Sequence, residues 1–143
     1  MPAKSMNELY DYALTFFRAP YTWGGEGPLS YDCSGFVQRV LAYGGVDPKG
    51  DQSASSLYSH FVKEGTVNMP GMGALAFFGS QDRIHHVGWC IDKKIMINAS
   101  GGGSHVKSIQ IAKQLGAYVA IEPINYRKDL VAIIMPFYQL PAS

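Results

Sequence analysis

The spacing of apolar residues changes character once along this chain, near Gly65, and that change limits the folds open to it. Upstream, Leu9, Tyr12, Ala13, Phe16 and Phe17 recur at helical intervals from Met6 to Arg18, with Ser5 placed to cap the start and Pro20 to stop the end. Phe36, Val37, Val40 and Leu41 form a second stripe over Cys33–Tyr43, closed by the glycines of "YGGVDP". "SASSLYSHFVKEG" predicts a third, shorter helix. Downstream the pattern shortens to "GALAFFG", "HHVGWCID", "KIMINAS", "HVKSIQI" and "LVAIIMP", runs of strand length between turn residues. Helices first and strands afterwards predict an α+β domain, N-terminal helices packed on a C-terminal antiparallel sheet, because a parallel sheet needs the two to alternate. With 143 residues, 47% of them apolar, one core of ordinary size is affordable, and a single domain over 1–143 is expected.

Charge and composition exclude several classes of partner. Lys plus Arg number 12 against 11 for Asp plus Glu, so no net field draws the chain to nucleic acid or anionic lipid. No apolar run approaches the roughly 20 residues that span a bilayer, so no membrane insertion is expected. "MPAKSMNELY" lacks the apolar stretch and cleavage site of a secretory signal, which predicts synthesis in the cytoplasm. Two cysteines make no disulfide framework, so Cys33 and Cys90 read as individual thiols. The four histidines have no ligand set around them at metal-binding spacing, and no metal or cofactor is expected. "SGGGSH" reads as a turn, since it lacks the Lys and Ser/Thr of a phosphate loop.

The chemistry concentrates in "YDCSGFVQRV". Cys33 falls in the first turn of the second helix, where unpaired N–H groups and the helix dipole favour a thiolate. Asp32, as the cap, fixes that turn while its charge partly opposes the thiolate. Position alone leaves Cys33 either a core residue or a nucleophile, because free cysteine is among the most buried residue types. Cys90, inside a strand pattern, reads as a small core residue.

A base is supplied by pattern in "IHHVGWCIDKKIMINAS". Two strands flank Asp92, Lys93 and Lys94, a connection of hairpin length. A three-residue loop sets Ile91 opposite Ile95 and Gly88 opposite Asn98, so His86, Gly88 and Asn98 share a face while His85, Val87, Trp89 and Ile91 take the other. Cysteine, histidine and a polar residue that orients the imidazole are the parts of a thiol acyl-transfer site. From the hairpin alone, His86 and Asn98 are equally readable as a polar pair on a solvent-facing strand.

"PYTWGG", "DCSGFVQRVLAYGGV", "PGMGALAFFG" and "HHVGWCIDKKIMINAS", in this order, resemble the NlpC family of papain-like cysteine peptidases, which cut peptidoglycan stem peptides. The resemblance covers about Pro20 to Ser100. It implies a nucleophile at Cys33, a general base at His86 and an orienting residue at Asn98. It further implies that Tyr21 turns its hydroxyl to the catalytic centre and helps hold the oxyanion, and that Asp32 and Ser34 contact substrate. Trp23 of the same loop either lines the groove or packs to hold the loop down. The bond usual for the family joins γ-D-glutamate to a diamino acid, most often diaminopimelate. The chain departs from the family twice: Asn98 stands where histidine is common, and Met72 and Gly73 follow Pro70 and Gly71 where an acid is usual.

Three functions follow from the resemblance. The first is a peptidoglycan endopeptidase acting at the cell wall or periplasm after delivery by another system: a phage lysis or tail assembly, or a secretion apparatus with an immunity partner. The second is a thiol-dependent amidase or acyltransferase on another acyl group, which an apolar groove beside Cys33 favours. The third is a non-catalytic module that binds wall fragments, against which the complete Cys33, His86 and Asn98 argue.

Overall fold

A computed structural model describes residues 3–101 and 103–140. Gly102, within the expected "SGGGSH" turn, lies outside the described residues. Three helices come first: α1 (Met6–Leu14), α2 (Cys33–Tyr43) and α3 (Ala54–Lys63). They are followed by strands β1 (Gly65–Val67), β2 (Leu75–Ser80), β3 (Arg83–Cys90) and β4 (Ile95–Ser100). Helix α4 (Ile109–Leu115), strand β5 (Tyr118–Pro123), a 3-10 turn (Ile124–Tyr126) and strand β6 (Leu130–Pro136) complete the order. The strands form one antiparallel sheet in the order β1-β6-β2-β3-β4-β5, so the fold is α+β as the periodicity predicts. Among the described residues no helix is long and apolar enough to cross a membrane.

Side-chain caps fix where the helices begin. Ser5 Oγ accepts from the Glu8 amide at 3.1 Å, and Asp32 Oδ1 accepts from the Gly35 amide at 2.6 Å. At α3, Ser53 and Ser56 bond each other's backbone N–H groups in a capping box. The first helix ends earlier than its apolar spacing suggests. After Leu14 the amides of Thr15, Phe16 and Phe17 bond carbonyls three residues back, and Arg18 adopts a φ of 74°. That turn lets the Arg18 amide reach the Val119 carbonyl at 2.8 Å, so attachment to β5 overrides helical spacing.

The apolar stripes of the helices close on one face of the sheet, where Phe36, Val40, Leu57 and Phe61 meet Leu75, Phe77, Val87 and Trp89. A smaller cluster of Ala74, Ala76, Phe78, Cys90 and Met96 covers part of the other face. One expected strand fails, and one strand forms where none was expected. "HVKSIQI" is not a strand: Ser108 caps a helix, its Oγ accepting from the Ile111 amide at 3.2 Å, and Gly116 ends it at φ 67°. The strand belongs instead to Tyr118–Pro123, an edge strand whose Glu and Pro mask its pattern.

Candidate active site

The nucleophile candidate is positioned by the contact between a loop and a helix start. The Asp32 amide donates to the Gly25 carbonyl at 2.8 Å, tying "YTWGG" to the first turn of α2. That carbonyl lies where a Cβ on residue 35 would sit, so only glycine allows the loop so close. Cys33 is thereby held half-buried at the wall of a cleft of about 700 Å³ that Tyr21, Trp23, His86 and Arg127 also line. Its Sγ lies 4.0 Å from the His85 carbonyl. Burial and the Asp32 charge push the thiol up to about 11, while the amides of Val87 and Ser34 and the Arg127 charge pull the other way.

The hairpin register follows from its turn. Asp92 Oδ1 accepts from the amides of Lys94 and Ile95 at 2.7 and 2.9 Å, and Ile91 donates to the Ile95 carbonyl, which fixes a three-residue loop. Trp89 then pairs with Ile97 and Cys90 with Met96, and the same register sets Gly88 against Asn98. A Cβ on residue 88 would lie 2.6 Å from Met96 Sδ and 3.3 Å from Asn98 Cβ, so glycine leaves the room that the buried amide occupies. Across that space His86 Nε2 and Asn98 Oδ1 are 2.7 Å apart.

Strict alternation fails at one residue. Phe78 pairs with His86 but Gly79 pairs with Ile84, so β3 carries His85 as an extra residue in a bulge. Ile84, Val87 and Trp89 therefore share the main core, and His85, expected on their face, is exposed in the cleft. The bulge brings the backbone of His85 to Cys33 and leaves the His86 ring against Phe78, with centroids 5.6 Å apart. His86 is 6% exposed, and burial holds its imidazole down at about 4 despite the bond to Asn98.

The remaining expected residues divide. Tyr21 is buried at the cleft, and burial, reinforced by the neighbouring Cys33 and Asp32 charges, keeps its phenol protonated and able to donate. Ser34 lines the cleft, but its hydroxyl lies 3.2 Å from Asp32 Oδ1, so the two act as one unit. Trp23 stands 58% exposed at the rim, and its amide, 2.6 Å from the Val106 carbonyl, ties down the loop. Cys90 is fully buried in the small cluster, and both cysteines are free thiols. No group of side chains suited to a metal ion occurs among the described residues.

The sequence pattern did not reveal Glu122. Asn98 Nδ2 donates to Glu122 Oε1 at 2.9 Å and to the Ala120 carbonyl at 3.3 Å, and Ser100 Oγ donates to the same carboxylate oxygen at 2.9 Å. With both nitrogen-side bonds going to acceptors, Asn98 must turn its oxygen to His86. The bonded Nε2 of His86 therefore carries the proton, and Nδ1 keeps a free lone pair.

The sequence model of the NlpC/P60 family matches residues 18–122. A protein of Listeria grayi called "Probable endopeptidase p60" is 33% identical over 105 residues, 73% of this chain and 20% of its own length. The "Gamma-D-glutamyl-L-lysine dipeptidyl-peptidase" of Bacillus subtilis is 30% identical over 124 residues, 82% of this chain and 36% of its own. The chain thus spans only a fifth to about a third of these relatives. The NlpC/p60 domain of the peptidoglycan hydrolase SagA superposes with a TM-score of 0.63 at 23% identity, covering 91% of this chain and 97% of that one. With the matched stretch running from the loop before Cys33 through Asn98 to Glu122, the chain belongs to the NlpC/P60 family.

Proposed function

We propose that this chain is a cysteine peptidase that cuts peptidoglycan stem peptides by acyl transfer to Cys33. The observation that carries the reading is the buried pair of His86 and Asn98, bonded at 2.7 Å, in the cleft that also holds Cys33 at a helix N-terminus. Because burial favours the neutral thiol and the neutral imidazole, the proton moves as the substrate is attacked. Sγ adds to the carbonyl carbon while His86 Nδ1 takes the thiol proton. The tetrahedral oxyanion is stabilised by donors at the cleft, for which the Tyr21 hydroxyl is the candidate. His86 returns the proton to the departing amine, and water then releases the acyl group by the reverse sequence.

The lining favours a polar peptide over a lipid. Asp32 and Asp51 come from the helix side of the cleft, Arg83 and Arg127 from the strand side, and both signs suit a zwitterionic stem peptide better than an acyl chain. The family resemblance and the name of the Bacillus relative support a γ-D-glutamyl bond to a diamino acid as the one cut. Purified muropeptides test the assignment. Cys33→Ala loses turnover while remaining folded, and Cys90→Ala keeps it. A folded Cys33→Ala chain that still turns over would overturn the reading.

A further inference from the structure

We propose that Glu122 is a positioning residue that completes the site from behind, its carboxylate polarising and locking Asn98 so that a neutral amide can support a protonated His86. The inference rests on the peptidase reading for its catalytic meaning, but its physical content stands on the hydrogen bonds alone.

The bonds run in one line from a solvent-edge strand to the cleft. Glu122 Oε1 accepts from Asn98 Nδ2 at 2.9 Å, and Asn98 Oδ1 meets His86 Nε2 at 2.7 Å. Asn98 is completely buried, so its amide cannot exchange these partners for water. A carboxylate accepts only, which fixes the rotamer of the amide and draws electron density towards its oxygen. Asn98 itself carries no charge, whereas an ionised Glu122 brings one within a single side chain of the imidazole. Ser100 Oγ, donating at 2.9 Å, holds the carboxylate in place from the neighbouring position on β4.

The other charged or titratable groups around His86 do not replace it. Arg127 and Asp129, from the segment leading into β6, act on the ring in opposite senses and are paired with each other at 2.9 Å. Cys33 faces it from α2, with Asp32 beside the thiol. On its own strand, His85 and Arg83 line the cleft. None of these is bonded to Asn98, so Glu122 is the carboxylate that connects to Nε2 through the orienting residue.

Two experiments test this. In a Cys33→Ala chain, where no thiol perturbs the ring, the His86 titration is followed by NMR with and without Glu122→Gln. Glutamine keeps an oxygen for Asn98 and Ser100 but removes the charge. The expected result is a fall in the His86 pKa of about one unit, tenfold in the protonation equilibrium. In the active chain, Glu122→Gln lowers kcat about tenfold with KM little changed, and Glu122→Ala lowers it further.

The second experiment moves the charge. Asn98→Asp alone sets two carboxylates in contact, so one takes a proton and turnover suffers. Asn98→Asp with Glu122→Gln puts the charge directly on the His86 side and gives the introduced carboxylate an amide donor behind it, and turnover recovers. An unchanged His86 titration in Glu122→Gln, or an Asn98→Asp chain as active as the double variant, would overturn the proposal. Because the titration needs no substrate, it tests the line of bonds even if the muropeptides prove not to be cut. Intact turnover with an unmoved titration would remove Glu122 and leave the peptidase reading standing.

Discussion

Replacing Asn98 by alanine removes three hydrogen bonds from a residue with no solvent access. Their costs differ. The Ala120 carbonyl faces β4, where the strand ladder still supplies a partner, and Glu122 keeps its bond to Ser100. The Nε2–H of His86 has no such recourse, since the ring is 6% exposed and its only direct side-chain hydrogen bond among the described residues is to Asn98. An unpaired buried donor costs about 1–3 kcal/mol, so the variant should lose about 2–3 kcal/mol once the missing packing of the amide is included. For a chain of this length that lowers Tm on the order of 5–15 °C. Catalysis suffers separately, because the ring loses its tether: kcat should fall on the order of 10–100-fold while KM holds. Asn98→His restores part of both, one ring nitrogen accepting from His86 and the other donating to Glu122. Urea denaturation and steady-state kinetics on one muropeptide read the two effects. A destabilised variant with wild-type kcat would refute the orienting role, and a variant with wild-type stability would refute the burial argument.

The two adjacent histidines should separate cleanly: His86→Ala loses nearly all turnover, whereas His85→Ala, at an exposed bulge, leaves Tm within about 1 °C by comparative melting. Gly35→Ala forces its Cβ against the Gly25 carbonyl, so the loop bearing Tyr21 must move; kinetics and denaturation should show losses in both kcat and stability, the latter on the order of 1–3 kcal/mol. The pH dependence of stability follows from His86, whose folded pKa of about 4 lies below its ordinary 6.5. The unfolded chain binds the extra proton between these values, so stability falls as pH drops from 6.5 towards 4, by about 3 kcal/mol from this residue. Denaturation at pH 7 and pH 4.5 should show that part of the slope missing from a folded His86→Gln chain; an equal slope in both would remove His86 as its source.

The sequence made the helix order and the main hairpin legible because both depend on local spacing: apolar stripes at helical intervals, caps at Ser5 and Asp32, and a three-residue turn that Asp92 holds. Cys33, His86 and Asn98 could be brought together on paper for the same reason, since two of them share one hairpin and the third sits at a helix start. What stayed hidden depends on long-range pairing. The bulge at His85 is set by the partner strand β2, and strict alternation along β3 therefore misplaced that side chain. Among the described residues, strand β5 has β4 as its one neighbouring strand in the sheet, its other side meeting only the short segment Arg18–Pro20; it lacks a clean alternating pattern and carries Glu122 as one polar residue among several, so nothing local marks it as the partner of Asn98. Helix α4 was concealed by β-branched residues, although Ser108 and Gly116 bracket it with a cap at each end.

The central claim, that Cys33 attacks a stem-peptide carbonyl with His86 as its base, is tested most directly by mass spectrometry of defined muropeptides after incubation with the wild-type chain and with Cys33→Ala. Two fragments are expected from the wild type, split between γ-D-glutamate and the diamino acid, and intact substrate with the folded variant. Identical fragments from both chains would contradict it.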